Sequence, residues 1–206
     1  MIGQALAALS AARAQTLAAL APLSQAQLDF SPGPGRWSIG EIADHLRLAE
    51  ELYRDEIARL VALARAGNRP YLKRSFEDIN VAPLRLPTPV LSWLSVPFSL
   101  MSRVLPDQVL SFVTEFPVLP TRNPDRATPR PGRPGAELRA ALARSLADTR
   151  ALVEANGDLD FARLISEHPL TGASDAPQIL RFLSLHERRH QGQMERVRSD
   201  PRFPRS

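Results

Sequence analysis

The sequence predicts an all-α protein: a four-helix bundle with a long crossover between its second and third helices, and an extra short helix inside that crossover. Three observations carry this prediction. Four segments repeat apolar residues at the helical period, and no alternating strand pattern competes with them. Two of those segments open on a capping box, Ser38 with Glu41 and Asp175 with Gln178. Prolines recur from Pro70 to Pro134, so that interval cannot hold a long helix.

The elements follow in order. Leu6, Leu9, Leu17 and Leu20 recur at helical spacing, with Arg13 and Gln15 between them, which predicts a first helix over about Ile2 to Leu20. Pro22 and the run Ser31-Pro32-Gly33-Pro34-Gly35 make the connection. The second helix starts at the Ser38 cap, with Trp37 and Ile42 in the two positions of a hydrophobic staple, and stops at Gly67-Asn68. Ile42, His45, Leu46, Ala49, Leu52, Tyr53, Ile57 and Leu60 share its apolar stripe, and Glu50, Asp55 and Arg59 fall largely off it. The interval 68–134 is the Pro-rich crossover, its short helix best placed at about Pro89 to Leu105 and its end, Val118 to Gly135, read as a loop. Leu138, Leu142, Leu146, Thr149 and Val153 predict a third helix from Gly135 to about Asn156. A last helix from about Asp175 to Arg198 buries Ile179, Phe182, Leu183, His186, His190, Gln193, Met194 and Val197.

Bulk properties narrow the function. At 206 residues, 44% hydrophobic and 23% charged, the chain reads as a single globular domain over 1–206. The absence of cysteine excludes disulfides, thiolate metal sites and a cysteine nucleophile, and suits a reducing cytoplasm. The net charge is only +4, Lys73 is the sole lysine, and the arginines are spread among acids, so no nucleic-acid partner is expected. No basic region followed by an apolar run opens the chain, and no leader is expected. Val90 to Leu105, the most apolar stretch, holds Pro97 and Arg103 and falls short of the ~20 residues of a spanning helix. No membrane partner is expected; the same stretch is a candidate homodimer contact or lid.

The chemical signal lies in the four histidines. His186 and His190 stand four apart, on one face of the last helix, and His45 sits on the inward stripe of the second. Three imidazoles that converge can hold one divalent ion. His168 lies in the loop ahead of the last helix. His186-Glu187-Arg188-Arg189-His190 also fits H-E-x-x-H, in which Glu187 would be the general base of a zinc protease. The protease reading is weak, because no histidine follows His190 and Glu195 comes only five residues later on the same helix.

Trp37-Ser38-Ile39-Gly40-Glu41-Ile42-Ala43-Asp44-His45-Leu46 resembles the second-helix motif of the DinB/YfiT-like family of metal-dependent hydrolases. Leu185-His186-Glu187-Arg188-Arg189-His190, with Gln193 three on, resembles its last-helix motif, and His168-Pro169-Leu170 is similar to the loop ahead of it. The resemblance implies a DinB-like four-helix bundle whose equivalents of His45, His186 and His190 hold the metal. It also implies hydrolysis, or transfer to or from a low-molecular-weight thiol, acting on a small-molecule substrate. The ion would activate water or a thiol; with no cysteine in the chain, a thiol would arrive as cosubstrate. A set of three histidines suits zinc, nickel, iron or copper. His168 is a candidate proton shuttle, Glu187 a candidate acid or base beside the ligands, or else solvated, and Asp44 and Gln193 candidate partners of the ligand rings, Asp44 equally readable as solvated. Arg181 and Arg189 are candidate contacts for an anionic substrate. The rival class is a bundle that binds metal without turnover, as a stress or interaction protein.

Overall fold

The computed structural model describes residues 1–74, 127–168 and 172–205, and it is mostly helical. Helix α1 spans Ile2–Leu20, α2 Gln25–Asp29, α3 Ile39–Arg65, α4 Gly135–Glu154 and α5 Ala176–Arg198. The four long helices lie within a residue or two of the ends expected from sequence. The short helix expected at about Pro89 to Leu105 falls outside the described residues.

Local chemistry sets these ends. Ser38 Oγ accepts from the Glu41 N–H at 3.2 Å and Glu41 Oε2 accepts from the Ser38 N–H at 2.9 Å, which fixes the start of α3. Asp175 and Gln178 close the same reciprocal pair at the start of α5, at 2.8 and 2.9 Å. At the other end of α3, Gly67 takes φ +72°, and the N–H groups of Gly67 and Asn68 reach the Ala64 and Leu63 carbonyls. Only a left-handed residue closes that turn, so glycine fits there.

The protein is not purely α. Tyr71–Lys73 (β1), Ile165–His168 (β2) and Gly172–Asp175 (β3) form a three-stranded sheet in the order β1-β2-β3. Strand β1 pairs parallel to β2 with Tyr71 opposite Ile165, and β2 pairs antiparallel to β3 with Ile165 opposite Asp175 and His168 opposite Gly172. His168 therefore ends a strand instead of lying in a loop. Pairing satisfies the backbone groups of connections that pack against α3 and α5. Strands this short carry no legible alternation.

Helix α1 packs on α5 and α4, and α3 packs on α4 and α5. Two apolar clusters fill the interior. One gathers Leu6 and Leu9 of α1, Ile57 and Leu60 of α3, Val153 of α4, and Ile179 and Leu183 of α5. The other gathers Leu20 of α1, Ile42 and Leu46 of α3, Leu138 and Leu142 of α4, and Met194 and Val197 of α5. Cluster order along each helix shows that α1 and α5 run one way and α3 and α4 the other. Helices α3 and α4 are thus parallel neighbours, an arrangement that a short loop cannot connect. Between the clusters every long helix contributes buried polar side chains: Arg13 and Thr16, then His45 and Glu50, then Ser145 and Thr149, then Glu187 and His190. The candidate site lies in this polar middle layer.

Candidate metal centre

Helix α3 delivers His45 and α5 delivers His186 and His190 one turn apart. His45 and His190 are buried and His186 is half-buried. One ring nitrogen from each lies within 4.8 Å of the other two. His45 Nε2 is 3.3 Å from His186 Nε2, and His190 Nε2 is 3.2 Å from it. The outer nitrogens of His45 and His190 are engaged. His45 Nδ1 faces the Ala127 carbonyl at 2.9 Å, and His190 Nδ1 faces Gln193 Oε1 at 2.8 Å. Both partners only accept, so each Nδ1 carries the proton and each Nε2 turns a lone pair inward.

Two lone pairs thus face a third ring nitrogen. A single proton on His186 Nε2 satisfies that crowding poorly, whereas one cation satisfies all three nitrogens. Metal–imidazole bonds of about 2.0–2.1 Å at tetrahedral angles place ligand nitrogens about 3.4 Å apart. The two separations to His186 match that spacing, all three nitrogens lie within 4.8 Å of one another, and the outer carbonyl and amide partners are those that orient ligand rings in metal sites. The three histidines therefore fit a divalent cation.

Electrostatics agree. Burial pushes the His45 pKa down, with the Arg189 charge acting the same way. Burial, then the neighbouring His190 and His45, hold His186 well below its usual range. His190 falls to about 3, chiefly through burial. All three rings are neutral at neutral pH, the form that binds metal. Trp37 and Phe182 cover the cluster. The indole centroid lies 4.8 Å from that of His45 and 6.3 Å from that of His190, and the Phe182 ring stacks on His186 at 5.7 Å.

The other residues singled out in the sequence are placed as follows. Gln193 does contact a ligand ring. Asp44 is not solvated: it is fully buried, and it accepts from the Arg130 N–H at 3.0 Å, from Arg133 at 2.6 Å and from Arg47 at 2.9 and 3.0 Å. It fastens the segment whose Ala127 carbonyl holds His45. Glu187 is not solvated either. It is 1% exposed and both its oxygens accept from Arg13, at 2.7 and 3.1 Å. Glu50, expected off the stripe, is also 1% exposed; Thr149 Oγ1 donates to it at 2.8 Å. His168 is not among the converging nitrogens; burial, and then the Arg74 charge, lower its pKa to about 4. Arg189 is exposed and Arg181 half-buried. Sequence reasoning missed the Ala127 carbonyl, which no side-chain pattern signals, and read Trp37 only as half of a helix staple.

Among the described residues no helix is long and apolar enough to cross a membrane. Searches of curated proteins and of solved structures returned no significant match. A family model for the DinB superfamily matches residues 8–194, nearly the whole chain. With that match added to the histidine cluster, the chain belongs to the DinB superfamily.

Proposed function

We propose that this protein is a metal-dependent enzyme in which His45, His186 and His190 hold one divalent cation, such as zinc, nickel or iron, beside a small-molecule substrate. The observation that carries the reading is the convergence of three neutral imidazoles, two of which, His45 and His190, have their outer nitrogens already engaged. A bound divalent ion would supply an activated nucleophile at neutral pH, either water for hydrolysis or a low-molecular-weight thiol for S-transfer. The chain's own groups prepare the place. The Ala127 carbonyl and Gln193 fix ring orientation, Asp44 anchors the Ala127 segment, and Trp37 and Phe182 shield the rings from water. Glu187, held by Arg13, serves to fix the roll of α5 rather than to move a proton. We assign no proton transfer to His168.

The same reading takes the four long helices as one four-helix bundle domain with 68–134 as its crossover, in a cytoplasmic protein. The test is turnover. Chelator-stripped protein is reloaded with zinc, nickel or iron and assayed on esters, amides and electrophilic thiol acceptors, with and without a low-molecular-weight thiol. Activity should return with metal and vanish in His45→Ala. Metal retention with no turnover across the panel would favour the binding-only alternative.

A further inference from the structure

On the outer side of Trp37 and Gln193 lies a recess of about 230 Å³, walled by Pro32, Arg36, Trp37, Gln193, Arg196 and Val197. A second, more open recess shares Arg36 and Trp37 with it. The Pro- and Gly-rich turn ahead of α3 forms one side and the last turns of α5 form the other. The volume is below the ~300–1,000 Å³ of drug-sized sites, so it suits one small group rather than a large ligand.

The charges around it are unbalanced. Neither the Arg36 nor the Arg196 guanidinium has an ion pair or side-chain hydrogen bond among the described residues. Every nearby acid is already engaged. Glu41 accepts from the Ser38 N–H, Glu195 pairs with Arg198 at 3.8 Å, and Asp200, whose charge Arg36 also feels, is gripped by Arg202 at 2.8 and 2.9 Å. Gln193 turns its oxygen to His190, which leaves its two amide N–H donors without a partner among the described residues. Two unpaired guanidiniums, an amide donor and an indole wall therefore surround one small recess. Guanidinium forks match carboxylate and phosphate oxygens, and the indole face accepts a flat apolar portion.

We propose that this recess is an anion-binding subsite that takes the carboxylate or phosphate end of the substrate or cosubstrate. Its relation to the reaction rests on the proposed metal-dependent function; its existence does not. Two side chains, Gln193 and Trp37, separate it from the metal ligands, since both line the recess, Gln193 bonds His190, and the Trp37 indole packs on His45 and His190. Substrates bearing an anionic group are therefore selected over neutral ones, and the anchored end sits behind the ring of His190.

Isothermal titration of the full chain with succinate and with inorganic phosphate, at matched ionic strength in sodium chloride, tests this. A second readout is the fluorescence of Trp37 in a Trp93→Phe background, where it is the only indole. One or both anions should bind saturably at millimolar concentration, and Arg36→Ala/Arg196→Ala should weaken binding at least tenfold while metal uptake stays unchanged. The preferred anion then identifies the ligand class. Absence of saturable binding, a response that chloride reproduces, or equal binding by the double variant would overturn the subsite. His45→Ala separates the two readings: metal lost with anion binding intact leaves the recess standing, and metal retained sinks the proposed function alone.

Discussion

Replacing Arg13 by methionine should cost about 3–5 kcal/mol of folding stability. The side chain is 1% exposed and its guanidinium ties α1 to all three other long helices. Nε and Nη2 donate to Glu187 at 2.7 and 3.1 Å, and Nη1 donates to the Leu142 carbonyl at 2.6 Å. Nη2 also lies 2.9 Å from Glu50 Oε2, close enough to pair charges but not aligned as a hydrogen bond, so that oxygen has no hydrogen-bond partner. Burial opposes the arginine's charge, yet the Glu187 and Glu50 carboxylates outweigh it and raise its pKa. Arg13→Met leaves two buried carboxylates with no counter-ion, and breaking one side of a buried pair is what makes it costly. Against a typical total of about 5–15 kcal/mol, the loss is large. At this length it lowers Tm by about 6–20 °C. Urea unfolding followed by circular dichroism measures it as a fall in midpoint at constant slope. The triple replacement Arg13→Met/Glu50→Leu/Glu187→Leu should recover most of the stability, because a well-packed apolar layer replaces the charges. In that variant the Thr149 hydroxyl turns its one proton from Glu50 to the Ser145 carbonyl, 3.1 Å away. A loss below about 1 kcal/mol in Arg13→Met, or a triple variant weaker than the single, would refute this reasoning.

Three further outcomes follow from the same geometry. Gln193→Leu removes the acceptor that orients His190 and should weaken metal affinity about 10–100-fold, read by competition with a chelating dye. Metal-free protein should lose stability as pH falls from about 6.5, because the unfolded chain then takes up protons that the buried neutral histidines refuse. His168 refuses down to about 4 and His190 down to about 3, and the slope reaches about 1.4 kcal/mol per pH unit for each such ring. A flat stability profile between pH 6.5 and 4.5 would contradict it. Gly67→Ala, forced to φ +72°, should cost about 1–2 kcal/mol in a thermal melt and leave metal uptake unchanged.

The four long helices were legible because each carries a period and a stop that act locally: the Ser38 and Asp175 caps, Gly67 with its positive φ, and the leucine stripes. The convergence of His45 with His186 and His190 was legible for a related reason. Inward stripes must face one another, so polar residues on them meet. The short helix α2 was not seen, although Ser24 and Gln27 form a capping box, because five residues are too few to show a period. The sheet was missed because its strands have three or four residues and owe their pairing to contacts made across the chain. Glu50 was misplaced because an apolar stripe says nothing about a carboxylate whose partner, Arg13, comes from another helix. The Ala127 carbonyl is a backbone atom 82 residues from the ring it holds, and only folding brings them together.

X-ray absorption at the metal edge of zinc-loaded protein tests the shared cation site most directly. Three imidazole nitrogens at about 2.0–2.1 Å should appear in the native chain, and His45→Ala should show one fewer. A single ion bound with fewer than three imidazoles, or a spectrum that His45→Ala leaves unchanged, would contradict a centre built from both helices.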